Sequence, residues 1–126
     1  MRSAPLRVAV VEDDAPSRAA LGRVLRAAGF EAALFDSGEA FVASPPDPSL
    51  LCLILDIHLT GMSGTDLQTR LRDAGSAVPV IITTANDEEA VRTRAERCGC
   101  VAFLRKPFDS ATLLRVIASI SREPRD

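Results

Sequence analysis

Short apolar runs alternate with amphipathic stretches along the whole chain. The runs at 8–11 and 51–55 are continuously apolar, which is typical of strands covered on both faces in a parallel sheet. Between the runs, apolar residues repeat with the period of a helix, as Leu21, Leu25 and Ala28 illustrate. The predicted strands are residues 8–11, 31–35, 51–55, 78–83 and 101–104. The alternation therefore predicts an α/β fold of the (βα)5 type, a doubly wound open sheet of five parallel strands.

Polar residues at the predicted helix starts have the spacing of capping boxes. The pairs are Asp36 with Glu39, Ser63 with Asp66, and Asn86 with Glu89. Gly29 and Gly99 follow the first and fourth predicted helices, where a residue in the left-handed conformation often ends a helix. The second helix, around residues 38–44, is predicted to be short because a proline-rich segment follows it.

Length and charge narrow the class of protein. The 126 residues fit one domain, which we expect over residues 1–121, with 122–126 as a polar tail that begins a linker to an absent output domain. Fifteen basic and seventeen acidic residues give a net charge of −2, so we expect no direct nucleic-acid binding. The apolar runs are too short to span a bilayer, and no secretory signal is evident, so we expect no membrane association.

Three cysteines, Cys52, Cys98 and Cys100, form neither a disulfide framework nor a C-x-x-C pair. An odd number of cysteines indicates a reducing compartment, and we expect a cytoplasmic protein in which cysteine packs as a small apolar residue.

The chemistry is concentrated where the predicted strands end, and the carboxyl ends of a doubly wound sheet are where such folds bind ligands. The first strand ends at Glu12, Asp13 and Asp14, the third at Asp56, the fourth at Thr83 and Thr84, and the fifth at Lys106. Lys106 is the only lysine in the chain. Several carboxylates at one edge repel one another unless a cation intervenes, and oxygen ligands at this density suit Mg²⁺.

With Mg²⁺ bound by some of these acids, one carboxylate remains to attack phosphorus. The metal ion, Lys106 and a threonine hydroxyl then neutralise the oxygens of the transferred phosphoryl group. The pattern predicts phosphoryl transfer to an aspartate, with an acyl phosphate as the product.

Four motifs, in this order and at these separations, resemble those of a known family. They are Val10-Val11-Glu12-Asp13-Asp14, Leu55-Asp56-Ile57 with Gly61-Met62-Ser63-Gly64, Thr84-Ala85, and Phe103-Leu104-Arg105-Lys106-Pro107-Phe108. With these motifs the chain resembles the receiver domain of two-component response regulators, and in particular receivers of the nodulation and nitrogen-fixation type. The resemblance covers nearly the whole chain and implies a flavodoxin-like fold with the strand order 2-1-3-4-5.

The resemblance implies that Asp56 is the phosphoacceptor. It also implies that Glu12, Asp13, Asp56 and the backbone carbonyl of His58 hold Mg²⁺. By the same resemblance, Thr84 hydrogen-bonds the phosphoryl group, and Phe103 is an aromatic switch that turns inward when Thr84 moves.

Lys106 is then the partner of Asp56 or of its phosphate, and a cis bond joins it to Pro107. The sequence departs from the family at Thr60, where proline is usual, so we expect a looser loop after Asp56. Phe103 stands where the family often has tyrosine, and His58 leaves the dephosphorylation rate unpredicted.

Several residues have a second reading. Asp14 is either a third pocket carboxylate or a helix cap, and we favour the cap. Thr83 and Thr84 are both candidates for the hydroxyl that contacts the phosphoryl group. Only one of them can serve, because neighbours on a strand point to opposite faces, and the spacing to Lys106 favours Thr84. We expect the His58 side chain to face solvent. The acids at 87–89 are interpreted as residues stabilised by a helix dipole rather than as a second metal site.

The resulting hypothesis is a Mg²⁺-dependent phosphoacceptor switch rather than an enzyme. A sensor histidine kinase donates the phosphoryl group, and the switch controls an output, which we expect to be transcription. The resemblance also implies a phosphorylation-dependent homodimer through helix 4, strand 5 and helix 5. Two alternatives remain: a degenerate receiver that binds partners without phosphorylation, and a phosphohydrolase of the haloacid dehalogenase type. The latter normally has a second aspartate where His58 stands.

Overall fold

In the computed structural model of the protein, which describes residues 6–85, 89–97 and 99–122, strands and helices alternate strictly. The strands are β1 (Arg7–Val11), β2 (Glu31–Phe35), β3 (Leu50–Asp56), β4 (Val80–Thr84) and β5 (Ala102–Arg105). The helices are α1 (Ala15–Ala27), α2 (Gly38–Ala43), α3 (Gly64–Asp73), α4 (Glu89–Arg97) and α5 (Ser110–Arg122). Within the described residues the strands form one parallel sheet in the order β2-β1-β3-β4-β5, which confirms the predicted fold class and strand order.

The sheet is covered on both faces because successive strand residues point to opposite sides. On one face, Val8 and Val10 pack in a cluster with residues of α1 and α5 such as Leu25 and Ile117. On the other face, Ala9 and Val11 join a second cluster; the helical residues buried in it include Leu67 of α3 and Ala95 of α4. The central strand β3 is buried over its whole length, which explains its continuous apolar run.

Four phenylalanines and the buried cysteine also belong to these two clusters. Phe30 and Phe108 pack against the first cluster, and Phe35 and Phe41 pack against the second. Cys52 is fully buried in the first cluster, where it packs as a small apolar residue. Cys98 lies outside the described residues.

Local signals located most of the helix ends. Ser63 and Asp66 form the predicted capping box at the start of α3. Gly29 and Gly99 have the positive φ angles, 95° and 89°, that a left-handed helix terminator requires. Asn86, the predicted cap of α4, lies outside the described residues.

The sequence prediction needs correction at α2 and at β4, while the ends of the other strands lie within one residue of their predicted positions. Helix α2 is capped by Ser37, whose side chain accepts from the backbone N–H of Ala40, and not by Asp36. Strand β4 runs from Val80 to Thr84, so it begins two residues later and ends one residue later than predicted. Pro79 has no N–H for a strand ladder, whereas Thr84 at the other end still pairs with Arg105 of β5.

Candidate functional site

The register of the two central strands places the first acidic residues side by side. Val11 of β1 pairs with Leu55 of β3, so the residues that follow, Glu12 and Asp56, leave the sheet at the same edge. Glu12 is 2% exposed and Asp56 is 6% exposed, so two carboxylates lie nearly buried at the carboxyl end of the sheet. Buried carboxylates require partners that neutralise or hydrogen-bond them.

Lys106 provides that partner from beyond the far edge strand. Its Nζ lies 2.6 Å from Glu12 Oε1 and 2.9 Å from Asp56 Oδ2. The backbone N–H of Lys106 donates to the carbonyl oxygen of Thr84 at 2.7 Å, which fixes the start of the side chain beside the end of β4. The peptide bond between Lys106 and Pro107 is cis, as predicted.

One ammonium shared by two carboxylates leaves the cluster with excess negative charge. Burial raises the pKa of Glu12 above its ordinary value, and the hydrogen bond from Lys106 opposes that rise without cancelling it. Asp56 raises the pKa of Glu12 further through its own charge. Burial lowers the pKa of the Lys106 ammonium, but its bonds to Glu12 and Asp56 outweigh burial, so the net pKa lies above its ordinary value. Lys106 is therefore protonated at neutral pH.

A third carboxylate, Asp13, completes an acidic cluster that is open to solvent. Among the described residues, Glu12, Asp13 and Asp56 each offer an oxygen within 4.8 Å of the others, and Asp13 is exposed. Three carboxylates against one ammonium leave two uncompensated negative charges, and all the offered ligands are hard oxygen atoms. This donor set fits a divalent cation of the Mg²⁺ type, which binds through one or two carboxylates and keeps several waters.

The segment between β3 and α3 donates hydrogen bonds to Asp13 and Asp56 of the cluster and to Glu39 of α2. The backbone N–H of His58 donates to Asp56 Oδ1 at 2.9 Å, and that of Met62 donates to Glu39 Oε2 at 3.1 Å. Thr60 donates to Asp13 Oδ2 through both its backbone N–H and its hydroxyl, each at 3.1 Å. The loop is thus anchored where we predicted a looser one. The sequence analysis did not predict the contacts of Thr60 with Asp13 or of Met62 with Glu39, because the two residues of each pair are distant in sequence.

The close approach of α3 to the end of β3 depends on a glycine. A Cβ atom at Gly64 would lie 2.6 Å from the carbonyl oxygen of Asp56 and 2.6 Å from Cα of Ile57. Both are backbone atoms, which have little freedom to move away. Gly64 therefore lets the first turn of α3 lie directly against the backbone that presents Asp56.

The predicted switch residues lie beyond the acidic cluster, on the β4 and β5 side. Thr84 is fully buried at the end of β4 and pairs in register with Arg105. Phe103 of β5 is half-buried, and the guanidinium carbon of Arg92 lies 5.1 Å from its ring centroid. This stacking of α4 on β5 was not predicted, because no local pattern pairs an arginine with one particular ring.

Two of the second readings are decided by the structure. Asp14 caps α1, because its side chain accepts from the backbone N–H of Ser17 at 3.0 Å, as favoured from the sequence. Hydrogen bonds with Ser17 hold the pKa of Asp14 below its usual range. The His58 side chain is exposed, as expected, so its backbone rather than its ring faces the cluster. Within the described residues, no helix has the length and apolar character needed to cross a bilayer.

The strand order and the helices on both faces define the flavodoxin-like class of α/β proteins. Residues 8–118 match the family described as the response regulator receiver domain. The chain belongs to this receiver domain family, as its four motifs predicted. Receiver domains are phosphoacceptor switches that bind Mg²⁺ at an acidic pocket and are phosphorylated by sensor kinases.

Similar proteins include two regulators from Bradyrhizobium diazoefficiens. The chain is 34% identical over 114 residues to the transcriptional regulatory protein FixJ, which covers 90% of this chain and 56% of FixJ. It is 35% identical over 118 residues to nodulation protein W, which covers 94% of this chain and 52% of that protein. The chain thus spans about half the length of these curated relatives, and the match confirms the predicted resemblance to this type of regulator.

Solved structures agree with the fold throughout the chain. The crystal structure of FixJ-N superposes with a TM-score of 0.88 at 28% sequence identity, covering 98% of this chain and 99% of that one. Full-length FixJ from B. japonicum superposes with a TM-score of 0.86 at 32% identity, covering 95% of this chain and 59% of that one.

Proposed function

We propose that this cytoplasmic protein accepts, on Asp56, a phosphoryl group from the phosphohistidine of a sensor kinase in a Mg²⁺-dependent reaction. The observation that carries the proposal is the position of Asp56, whose Oδ2 lies 2.9 Å from Lys106 Nζ in a cluster with Glu12 and Asp13. In this reaction, the bond from phosphorus to the kinase imidazole nitrogen breaks and a bond to an Asp56 oxygen forms. The leaving imidazole takes up a proton.

Each residue of the cluster has a distinct part in this reaction. The ammonium of Lys106, in contact with Asp56, places a positive charge where the incoming phosphoryl oxygens bring negative charge. Glu12, Asp13, Asp56 and the carbonyl of His58 would hold the metal ion. Mg²⁺, when bound, would stabilise the negative charge on the oxygens of the phosphoryl group during its transfer.

The output of the reaction is a shift between two conformations. Thr84, at the end of β4, is proposed to hydrogen-bond the phosphoryl group, and Phe103 to turn inward as Thr84 moves. A shift from 1:99 to 99:1 requires about 5.5 kcal/mol of preference for the phosphorylated state. The face formed by α4, β5 and α5 is proposed to mediate a phosphorylation-dependent homodimer.

The division of the chain belongs to the same proposal. Residues 1–121 form the receiver domain, and 122–126 begin a linker to an output domain that controls transcription. The greater length of FixJ and nodulation protein W supports this arrangement. Helix α5 extends to Arg122, the first residue of the proposed tail.

Intact mass spectrometry tests the phosphoacceptor directly. Incubation with acetyl phosphate and Mg²⁺ is expected to add one phosphoryl group, which hydroxylamine removes and EDTA prevents. The Asp56→Asn variant is expected to stay unmodified, while Asp73→Asn, at an exposed position on α3, is modified like the wild type.

Other outcomes would favour the alternatives. No adduct in the wild type under any donor would support the degenerate receiver. Multiple turnover of simple phosphate esters would support the phosphohydrolase, and an adduct that persists in Asp56→Asn would move the acceptor to another residue.

A further inference from the structure

Thr60 makes two hydrogen bonds to one oxygen of a carboxylate that is 47 residues away in sequence. Its backbone N–H and its hydroxyl Oγ1 both donate to Asp13 Oδ2 at 3.1 Å. Both residues are exposed, so neither bond is imposed by packing in the core. Asp13 is also the exposed member of the acidic cluster, at the point where solvent reaches the pocket.

We propose that Thr60 is a positioning residue that holds Asp13 ready for the divalent cation. This inference rests on the proposed function, because it concerns the metal ion that phosphoryl transfer requires. An exposed aspartate rotates freely and loses that freedom when it binds an ion. Two donors on Oδ2 restrain the carboxylate in advance and leave Oδ1 without these donors, which suits the single-oxygen coordination that Mg²⁺ accepts from a carboxylate.

The interaction depends on the residue type at position 60. Proline, the usual residue at this position in the resembled family, has neither an N–H nor a hydroxyl and can make neither bond. Elsewhere in this loop, His58 and Met62 also donate to carboxylates, but only through the backbone N–H, which nearly any residue provides. Thr60 adds a side-chain donor, so its contribution can be removed without changing the loop backbone.

A graded set of variants tests the proposal by Mg²⁺ affinity, measured by isothermal titration calorimetry without a phosphodonor. Thr60→Val keeps the N–H and the side-chain shape but loses the hydroxyl. Thr60→Pro loses both donors, and Thr60→Ser keeps both. Since loss of a hydrogen-bond partner of a metal ligand typically weakens metal affinity about 10–100-fold, we expect the Mg²⁺ Kd to rise about tenfold in Thr60→Pro. The rise in Thr60→Val should be smaller, and Thr60→Ser should match the wild type.

The matched control is Thr93→Val, the same chemical change at an exposed position on α4, which should leave the Kd unchanged. The Mg²⁺ concentration that half-saturates phosphorylation by acetyl phosphate should rise in parallel with the Kd, while the rate at saturating Mg²⁺ stays close to that of the wild type.

Two results would overturn the role of Thr60 alone: Kd values for Thr60→Val and Thr60→Pro that equal or fall below the wild-type value, or failure of Thr60→Ser to restore binding. A wild type that binds no Mg²⁺ would instead overturn the proposed metal site, and the role of Thr60 with it.

Discussion

Lys106 and Asp56 meet across the carboxyl edge of the sheet, with Nζ 2.9 Å from Oδ2 although the residues are 50 positions apart. The same ammonium also contacts Glu12, so one cation compensates two buried carboxylates. The two buried carboxylates therefore depend on the positive charge of Lys106 unless another cation replaces it.

Replacing Lys106 by methionine should destabilise the metal-free protein. The change removes hydrogen bonds to two buried carboxylates, and one hydrogen bond to a charged group contributes about 1.5–3 kcal/mol; because the Lys106 side chain is partly exposed, we take the value of one bond for the pair. We expect a loss of unfolding free energy within this range in EDTA, measured by urea denaturation, and partial recovery in Mg²⁺, because the ion takes over the charge compensation. The variant should still accept a phosphoryl group but switch poorly.

Arg105→Gln is the control for the loss of a positive charge, because Arg105 is exposed beside Lys106. Equal stabilities of Lys106→Met and Arg105→Gln in EDTA would show that the Lys106 ammonium does not stabilise the two buried carboxylates. Dimerisation of phosphorylated Lys106→Met at the wild-type level would contradict its part in the switch.

Substituting Gly64 by alanine should disturb the backbone that presents Asp56. The added Cβ would lie 2.6 Å from two backbone atoms, and overpacking of this kind costs about 1–3 kcal/mol. Urea denaturation should show this loss, and the rate of phosphorylation by acetyl phosphate should fall with it. Gly38→Ala is a milder comparison, because its Cβ would first meet the flexible Met62 side chain at 3.2 Å. The prediction fails if the two variants are equally stable.

Removing the guanidinium of Arg92 should make the inward position of Phe103 more accessible. A cation–π contact made by an exposed cation, such as the Arg92 guanidinium, contributes about 0.5–1 kcal/mol. Arg92→Gln should therefore raise the population of the inward ring about two- to fivefold before phosphorylation. Fluorine NMR of protein labelled with fluorophenylalanine, with the Phe103 signal assigned by Phe103→Leu, measures this population. Arg94→Gln is the control on the same helix, since the Arg94 guanidinium contacts Thr65 instead. A shift of equal size in both variants would argue against the ring contact as its cause.

Acid should weaken the cap of α5 at Asp109. Hydrogen bonds with Thr112 hold the pKa of Asp109 below its ordinary value of 3.8, and the charge of Arg115 lowers it further. A group with a lowered folded-state pKa stabilises the fold above its unfolded pKa, and this stabilisation is lost as the pH falls through the folded-state value. Wild-type protein should therefore lose more stability than Asp109→Asn as the pH falls below the ordinary value of 3.8, because the asparagine keeps the cap without titrating.

Thermal unfolding at a series of acidic pH values gives the difference in melting temperature between wild type and Asp109→Asn. The contributions of the other carboxylates are the same in both proteins and cancel in this difference. At pH 7 the two melting temperatures should be close, whereas Asp109→Ala, which has no capping group, should melt a few degrees lower. Parallel acid profiles for wild type and Asp109→Asn would show that Asp109 does not contribute.

Most of the fold was predictable from local pattern. The unbroken apolar run that forms β3 indicated a strand buried on both faces, and Ser63 with Asp66 located the start of α3. The errors fall where two local signals competed, because both Asp36 and Ser37 had the chemistry to cap α2. The end of β4 was also misplaced, since Thr84 pairs with Arg105 of β5 and its carbonyl accepts from the N–H of Lys106, and both partners are distant in sequence.

By itself, the sequence determined the α/β alternation, the residues that follow each strand and, through its four motifs, the family. These follow from periodicity and short-range spacing, which act within a few residues. Only the tertiary structure decided which atoms share the Lys106 ammonium, that Thr60 binds Asp13, and that Arg92 covers Phe103. Each of these contacts joins segments brought together by the sheet order, and the energy of a long-range polar contact depends on distances that no local pattern encodes.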